Sequence, residues 1–284
     1  MKKTAVERLA MHTTRLAILD MYDGVPNQGM RCIHDILRSF SGRVEYEIFD
    51  VRGKSEVPDL NFDFYISTGG PGNPLEGDGD WDAKYYAWLQ AVWTWNQHQE
   101  EKKQVFFICH SFQMAVDFFN LALITDRRSM SFGTFPVHLT DAGINEPVFD
   151  GLTDPFWAAD FRYYQVVQPN LSRFEKLGAE ILALEKIRPH VPLERAIMAI
   201  RFSPDMVGVQ FHPEADPEGM IAHFIEPERR EAVITEHGAE KYHRMLSDMR
   251  HPRRIMHTYS RVLPQFIEQA IQASQARVGV GVAG

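Results

Sequence analysis

The stretch Val105-Phe106-Phe107-Ile108-Cys109 decides the fold, because a continuous apolar run ends in a cysteine where a helical segment begins. An uninterrupted apolar run of this kind is typical of a strand buried on both faces of a parallel sheet. Short apolar runs alternate with amphipathic helical stretches through the first two-thirds of the chain, and this alternation builds βαβ units. The sequence therefore predicts an α/β fold, with a mostly parallel sheet flanked by helices and Cys109 at a strand-to-helix turn.

Further strands lie on both sides of this run, and helix-favouring sequence follows them. The predicted strands are Leu16–Leu19, Val44–Phe49, Phe64–Ile66, Thr134–Leu139, Ala179–Leu184, Ala196–Phe202 and Val207–Phe211. After Asp216 the sequence becomes charged and favours helix. We therefore expect a main domain over residues 1–216, a C-terminal helical appendage over 217–276 and a flexible tail over 277–284.

Composition restricts the class of protein. A formal net charge of -8 argues against a nucleic-acid groove, which needs a surplus of cations on one face. The two cysteines, Cys32 and Cys109, are too few for a disulfide framework and fit a reducing compartment. No apolar run approaches the ~18 residues that span a bilayer. We expect a cytoplasmic protein without nucleic-acid or membrane partners.

Three separated features are expected to meet at one edge of the sheet, because loops leaving the carboxyl ends of parallel strands gather there. They are Cys109, the glycine loop at residues 69–72, and His212 with Glu214. A thiol at a helix N-terminus has its thiolate favoured by the helix dipole and by a nearby imidazole. An isolated cysteine in apolar surroundings is more often an inert core residue, and Cys32, one turn before Ile36, is interpreted so. The position of Cys109 at a strand end favours a nucleophile.

His212 ends another predicted strand and has a carboxylate two residues later. Such an imidazole can take the proton of a thiol and later return it to a leaving amine. The Glu214 carboxylate could hold the far ring nitrogen, which is the third role in a catalytic triad. On its own, a His-Pro-Glu turn on a surface loop would be ordinary.

The loop Gly69-Gly70-Pro71-Gly72 lacks the lysine and hydroxyl residues of a phosphate-binding loop. Glycines let the main chain approach a substrate and direct N–H groups at an oxyanion, where one donor contributes about 3 kcal/mol. An ordinary tight turn explains this loop equally well.

Metal binding is an alternative function, because the chain has 12 histidines and Cys109 is followed by His110. Neither paired cysteines nor a helical His-Glu-x-x-His spacing occurs in the sequence. We expect no metal site and no cofactor.

These motifs resemble those of class I glutamine amidotransferases. Residues 108–113 (Ile-Cys-His-Ser-Phe-Gln) resemble the family's Cys-x-Gly-x-Gln nucleophile elbow, residues 207–214 (Val-Gly-Val-Gln-Phe-His-Pro-Glu) resemble its triad strand, and residues 68–72 are similar to its oxyanion loop. The three occur in the family's order. The resemblance implies a flavodoxin-like fold over about residues 14–216 and hydrolysis of a glutamine side-chain amide through a γ-glutamyl thioester. The order also resembles that of stand-alone members related to the amidotransferase part of guanylate synthase.

The resemblance also implies a role for each matching residue. It assigns catalysis to Cys109, His212 and Glu214, oxyanion donors to the backbones of Gly70 and His110, and substrate contacts to Gly69, Gly72 and Gln113. Two positions depart from the family elbow, because Phe107 and Ser111 stand where the family usually has glycine.

Two functions stay open at this point. The first is cysteine-dependent hydrolysis of the γ-amide of glutamine or a γ-glutamyl compound, with ammonia either delivered to a separate synthetase subunit or released. The second is a catalytically impaired binding or regulatory protein on the same scaffold, which Phe107 and Ser111 favour and the intact triad residues disfavour. The helical segment is interpreted as a cover for the sheet's edge, with a lid, a partner surface or a homodimer contact left open.

Overall fold

The computed structural model describes residues 13–25, 27–190, 192–251 and 254–280. In these residues one sheet runs in the order β2-β1-β3-β4-β9-β8-β7-β5-β6. Its strands are β1 (Thr14–Asp20), β2 (Val44–Asp50), β3 (Phe64–Ser67), β4 (Gln104–Ile108), β5 (Leu123–Leu139), β6 (Phe156–Val167), β7 (Glu180–Glu185), β8 (Ile197–Ser203) and β9 (Met206–Val209).

Helices flank the sheet and continue after its last strand. They are α1 (Gln28–Arg38), α2 (Val51–Lys54), α3 (Trp81–His98), α4 (His110–Phe119), α5 (Asp141–Ile144), α6 (Leu171–Leu177), α7 (Pro217–Ile225), α8 (Pro227–His237), α9 (Ala239–Arg250), α10 (Ile255–Tyr259) and α11 (Val262–Val280), with a short 3-10 turn at Pro147–Phe149. Within the described ranges, none of these helices has both the length and the apolar character needed to cross a membrane.

The half of the sheet that carries the predicted motifs is parallel. Strand β1 pairs with β2 and β3, β3 with β4, and β4 with β9, all in parallel register. The apolar run of β4 is buried on both faces, because Phe106 and Ile108 belong to one hydrophobic core while Val105 and Phe107 belong to the other. The order β2-β1-β3-β4 is that of flavodoxin-like folds. The predicted fold class is therefore confirmed.

The other half of the sheet is antiparallel and is dominated by the long hairpin of β5 and β6. The sequence did not predict β6. Its register places Asp160 and Arg162 inside the protein, where their side chains form an ion pair at 2.8 Å. Buried charges at strand positions remove the apolar alternation by which a strand is recognised.

The C-terminal segment is helical, as predicted, but its parts pack in two different places. Helix α11 lies on one face of the sheet, where its Phe266 ring contacts Phe64 and Phe106. Helices α7 to α9 pack against the β5–β6 hairpin through a separate apolar cluster that includes Phe132 and Met245. The backbone of α11 stays helical to Val280, past residue 277, where the sequence predicts the tail to begin; residues 281–284 lie outside the described residues. The division into domains stays a prediction.

Candidate active site

A cavity of about 300 Å³ opens at the carboxyl ends of the parallel strands. It lies at the point where the strand order reverses between β1 and β3, which is where ligands bind in open α/β sheets. The loops after four strands contribute to its wall, through Tyr22, Gly70, Cys109 and His212. The three separated sequence features therefore meet, as the topology requires.

Cys109 forms a sharp turn between β4 and α4. Its backbone has φ 49° and ψ -97°, a conformation that costs a residue other than glycine about 1–3 kcal/mol and persists only where surrounding contacts hold it. Those contacts include the Cys109 N–H, which donates to the Val209 carbonyl at 2.8 Å, and the Cys109 carbonyl, which accepts from the Gln113 N–H at 3.1 Å. The turn presents the thiol to the cavity.

Ser111 stabilises this turn with its side chain. Its hydroxyl accepts a hydrogen bond from the Ile108 N–H at 3.0 Å and donates to the Ser67 carbonyl at 2.7 Å. One side chain therefore ties the elbow to the end of the neighbouring strand β3. A glycine at this position would leave both backbone groups without that partner.

Phe107 has room because its neighbour is a glycine. In the parallel register it lies opposite Gly208, and a Cβ atom on Gly208 would come within 3.0 Å of the Phe107 Cβ. The Phe107 ring packs edge-on against Phe202, with the ring centroids 5.6 Å apart. Both departures from the family elbow therefore have defined places in the packing.

His212 is positioned by its backbone and by a carboxylate. Its N–H donates to the Ala159 carbonyl at 2.9 Å, and its Nδ1 is 2.7 Å from Glu214 Oε1. The Glu214 side chain is only 1% exposed. The imidazole and the Cys109 side chain line the same cavity, and a Cβ on Gly69 would lie 2.9 Å from His212 Cε1 and 3.5 Å from Cys109 Cβ. Thiol, ring and carboxylate thus form one connected series.

The charge state of His212 follows from these neighbours. Burial disfavours the charged ring, but the Glu214 carboxylate and Cys109 outweigh it and hold the pKa of His212 well above its ordinary value. The raised pKa favours the protonated ring, which is the form that donates a proton to a leaving amine.

The glycine loop is held against β1. A Cβ on Gly70 would lie 2.3 Å from the Met21 carbonyl oxygen, so only glycine fits there. The Arg52 guanidinium donates to the Pro71 carbonyl and lies over the Trp81 ring, 5.1 Å from its centroid. In the described part of the chain, neither the Gly70 N–H nor the His110 N–H has a hydrogen-bond acceptor. Both are available to an oxyanion.

Gly69 and Gly72 serve the same loop in different ways. A Cβ on Gly69 would come within 2.9 Å of His212 Cε1, so this glycine allows the main chain to lie against the imidazole. Gly72 has φ 88°, and its Cβ position lies 3.6 Å from the Arg52 guanidinium. Gly70 and Pro71, rather than Gly69 and Gly72, form the wall of the cavity.

Gln113 lies behind the thiol rather than in the cavity wall. It is 3% exposed, and its Nε2 donates to Gln210 Oε1 at 2.9 Å. Gln210 in turn places its Nε2 3.7 Å from Cys109 Sγ. Gln210 was not identified from the sequence, although it stands in the quoted triad strand. Contact of Gln113 with a substrate stays a prediction.

Tyr22 was also missed, because a single tyrosine carries no motif. Burial first, and then the nearby Glu214 and Cys109, raise the pKa of Tyr22 well above its ordinary value, so its hydroxyl stays protonated. A Cβ on Gly29 would lie 2.2 Å from this hydroxyl oxygen. Its position after β1 is the available signal, since the same strand-end rule that located Cys109 applies to it.

The second cysteine lines the same cavity. Cys32 is buried, its Sγ lies 3.3 Å from Asp216 Oδ2, and the Arg31 guanidinium donates to the sulfur at 3.1 Å. Burial raises the pKa of Cys32 to about 12, so it remains a thiol. The cavity therefore contains two thiol groups, of which one lies beside the His212 imidazole.

In the described ranges, no group of three or more His, Cys, Asp and Glu side chains is arranged to hold a metal ion. The charged groups of the cavity are instead engaged with one another.

Comparison with known proteins gives a family and a fold. The model of the class-I glutamine amidotransferase family matches residues 17–229, whereas a search of curated protein sequences finds no match. Among solved structures, a glutamine amidotransferase from Thermotoga maritima is similar at TM-score 0.66 and 15% identity, with 92% of this chain and 99% of that chain covered.

Two further structures share the fold. A GMP synthase subunit from Thermoplasma acidophilum has TM-score 0.51 and 15% identity, covering 72% of this chain and 86% of that chain. The glutaminase domain of Trypanosoma brucei CTPS has TM-score 0.52 and 18% identity, covering 87% and 94%.

Proposed function

The chain belongs to the class-I glutamine amidotransferase family, and from that premise we propose that it hydrolyses the γ-amide of glutamine or of a γ-glutamyl compound with Cys109 as nucleophile. One observation carries the proposal: the His212 ring lines the same cavity as Cys109 and bonds Glu214 at 2.7 Å. A binding protein has no need of that connected series.

The first half-reaction forms a thioester. The Cys109 thiol passes its proton to His212, the sulfur attacks the amide carbon, and the electron pair of the C=O bond moves to oxygen. When the tetrahedral adduct collapses, the C–N bond breaks and His212 gives its proton to the nitrogen, which leaves as ammonia or an amine. The product on the enzyme is a γ-glutamyl thioester.

The second half-reaction restores the enzyme. The neutral His212 takes a proton from water as the oxygen attacks the thioester carbon, and the C–S bond breaks to release a γ-carboxylate. Glu214 keeps the ring oriented through both steps, because it accepts from Nδ1 and leaves the other nitrogen for proton transfer.

Oxyanion stabilisation is assigned to the N–H groups of Gly70 and His110. Backbone donors that need no reorganisation during the reaction are effective because their orientation is fixed in advance. The His110 ring plays no part in this role: it is buried, and burial together with Arg52 lowers its pKa to about 3.

Substrate contacts are proposed for the main chain at Gly69 and Gly72. For Gln113 we propose an indirect role, in which its amide orients Gln210 against the thiol. The amine product goes either to a separate synthetase or to solvent. The similarity to a CTPS glutaminase domain and to a GMP synthase subunit is compatible with a synthetase partner.

The packing of Phe107 and Ser111 weakens the argument for the competing regulatory function. Phe107 and Ser111 favoured it because family elbows carry glycine there, yet Gly208 accommodates the first and the second bonds to two backbone groups.

The test is a panel of γ-glutamyl amides, with glutamine included, assayed for released glutamate. We expect at least one member to be turned over by the wild type. Cys109→Ala should reduce kcat by at least about 10³-fold, as for loss of a triad nucleophile. Equal rates for the two proteins would reject Cys109 as the nucleophile.

A further inference from the structure

A second cavity, of about 580 Å³, lies between strand β5, the segment after β7 and helices α8 and α9. It shares no lining residue with the catalytic cavity. Its charged lining is mainly cationic: Arg127, Lys186, Arg188, Lys241 and Arg244 stand against Glu240 and Asp248. In a chain with a formal net charge of -8, such a surplus of cations is a local feature.

The two lysines of this cavity have no carboxylate partner. Within the described ranges, neither Lys186 nor Lys241 lies within ion-pair distance of an acidic side chain, although both are half-buried. The Lys186 ammonium instead lies 3.8 Å from the centroid of the Phe135 ring. Burial lowers the pKa of both lysines. A half-buried cation without an anion is unfavourable, and an entering anion would relieve that cost.

The nearest buried carboxylate does not neutralise these lysines. Glu185 is shared among arginines, with Arg127 at 2.9 Å, Arg188 at 2.8 Å and Arg162 at 3.5 Å. The two carboxylates of the lining are also engaged, because Glu240 pairs with Arg244 and Asp248 with Arg254. Glu185 and Asp160 act on Lys186, and Glu236 acts on Lys241, but they do not offset burial, because the pKa of each lysine stays lowered.

Two neutral donors belong to residues in the wall of the same cavity. Thr134 is 4% exposed, lines the cavity, and its hydroxyl has no hydrogen-bond partner among the described residues. Helix α9 begins here without a side-chain cap, with Gly238, Ala239 and Glu240 in the lining. The first N–H groups of a helix have no intrahelical acceptor and carry the positive end of its dipole.

We propose that this cavity binds a small anion that carries phosphoryl groups. Ammonium groups, a hydroxyl and an uncapped helix N-terminus are donors that phosphate oxygens accept from. The volume is in the range of small-molecule sites. Phe132 and Phe135 add an apolar wall for the remainder of such a ligand.

A pair of packed aromatic rings connects the wall of the proposed site to the wall of the catalytic cavity. The Phe132 ring lies 5.1 Å from the Phe161 ring, and Phe161 lines the catalytic cavity 6.1 Å from the His212 ring, between centroids. The proposal does not rest on the proposed amide hydrolysis, since none of its residues takes part in that reaction. The Cys109→Ala protein should bind the anion as the wild type does.

The experiment is calorimetric titration of the full chain with inorganic phosphate, pyrophosphate and ATP at fixed ionic strength. We expect one-to-one saturation by at least one probe, with the dissociation constant raised at least about 10-fold in Lys186→Gln/Lys241→Gln. Lys84→Gln/Lys176→Gln changes the net charge equally on exposed positions of α3 and α6 and should bind as the wild type does. Saturation by ATP alone would indicate a nucleotide, and saturation by all three would indicate recognition of the phosphoryl group itself.

A second variant protects the test against misfolding. Thr134→Val removes a hydroxyl without a partner, so the fold should tolerate the change. The variant should raise the dissociation constant of the same probe about 3- to 10-fold. The proposal fails if no probe saturates the wild type, if the two double lysine variants bind alike, or if Thr134→Val binds as tightly as the wild type.

Discussion

The two cavities differ in how their charges are arranged. In the catalytic cavity the His212 and Glu214 side chains bond each other at 2.7 Å, whereas Lys186 and Lys241 face the other cavity without a carboxylate. The first arrangement supplies its own counter-charges and fixes a proton donor beside a thiol. The second leaves two lysines whose positive charge the nearby carboxylates offset only in part. The proposed reaction site and the proposed anion site thus differ in whether their charged side chains have ion-pair partners within the protein.

The comparison is tested most strongly by removing the counter-charge of His212. Glu214→Gln should lower kcat by about 10²- to 10⁴-fold while changing KM far less, because the carboxylate orients the ring rather than binding substrate. Stopped assays of glutamate release over a range of concentrations measure both constants. A kcat close to that of the wild type would show that the ring needs no orienting partner.

The same variant has a pH signature. Glu214 and Cys109 raise the pKa of His212 against the effect of burial, and activity that needs the protonated ring is lost as pH rises through that pKa. Without the carboxylate the pKa falls, so the alkaline limb of the kcat profile should move to lower pH. An alkaline limb that stays in place would separate Glu214 from the titration of His212.

A smaller effect compares two buried hydroxyls. Ser111 bonds two backbone groups at the elbow, whereas Thr134 has no partner among the described residues. Ser111→Ala should lower the free energy of unfolding by about 1–3 kcal/mol, because it leaves the Ile108 N–H buried and unsatisfied. Thr134→Val should leave that free energy unchanged or raise it. Urea unfolding measures both free energies. Equal decreases in the two variants would show that the hydrogen bonds of the Ser111 hydroxyl add no stability beyond that of the unpartnered Thr134 hydroxyl.

The sequence predicted the parallel half of the molecule well because its signals are local. Four apolar residues before Cys109 indicate a buried strand, and the position of strand ends in a parallel sheet brings distant loops together. Strand β6 escaped prediction because Asp160 and Arg162 are buried as an ion pair. Burial of that pair depends on tertiary contacts, which no local pattern records.

Parts of both cavities could not be predicted from the sequence, because they too depend on tertiary contacts. Tyr22 belongs to no motif, and Gln210 stands in the quoted triad strand without a role assigned to it; both reach the catalytic cavity or its thiol through packing. The cations of the second cavity come from three distant segments, around residues 127, 186 and 241. Only the folded chain places them around one space, so their surplus is invisible to a count of charges along the sequence.

The central claim is that one of the two thiols in the same cavity, Cys109, is a nucleophile. It is tested most directly by treating the protein with a glutamine-mimicking diazoketone and weighing the intact chain. We expect a single adduct on the wild type and on Cys32→Ala, and none on Cys109→Ala. Removing Cys32 should not matter, because in the wild type its thiol is buried and its pKa is raised to about 12. Equal labelling of Cys109→Ala, or loss of the adduct only in Cys32→Ala, would contradict the account.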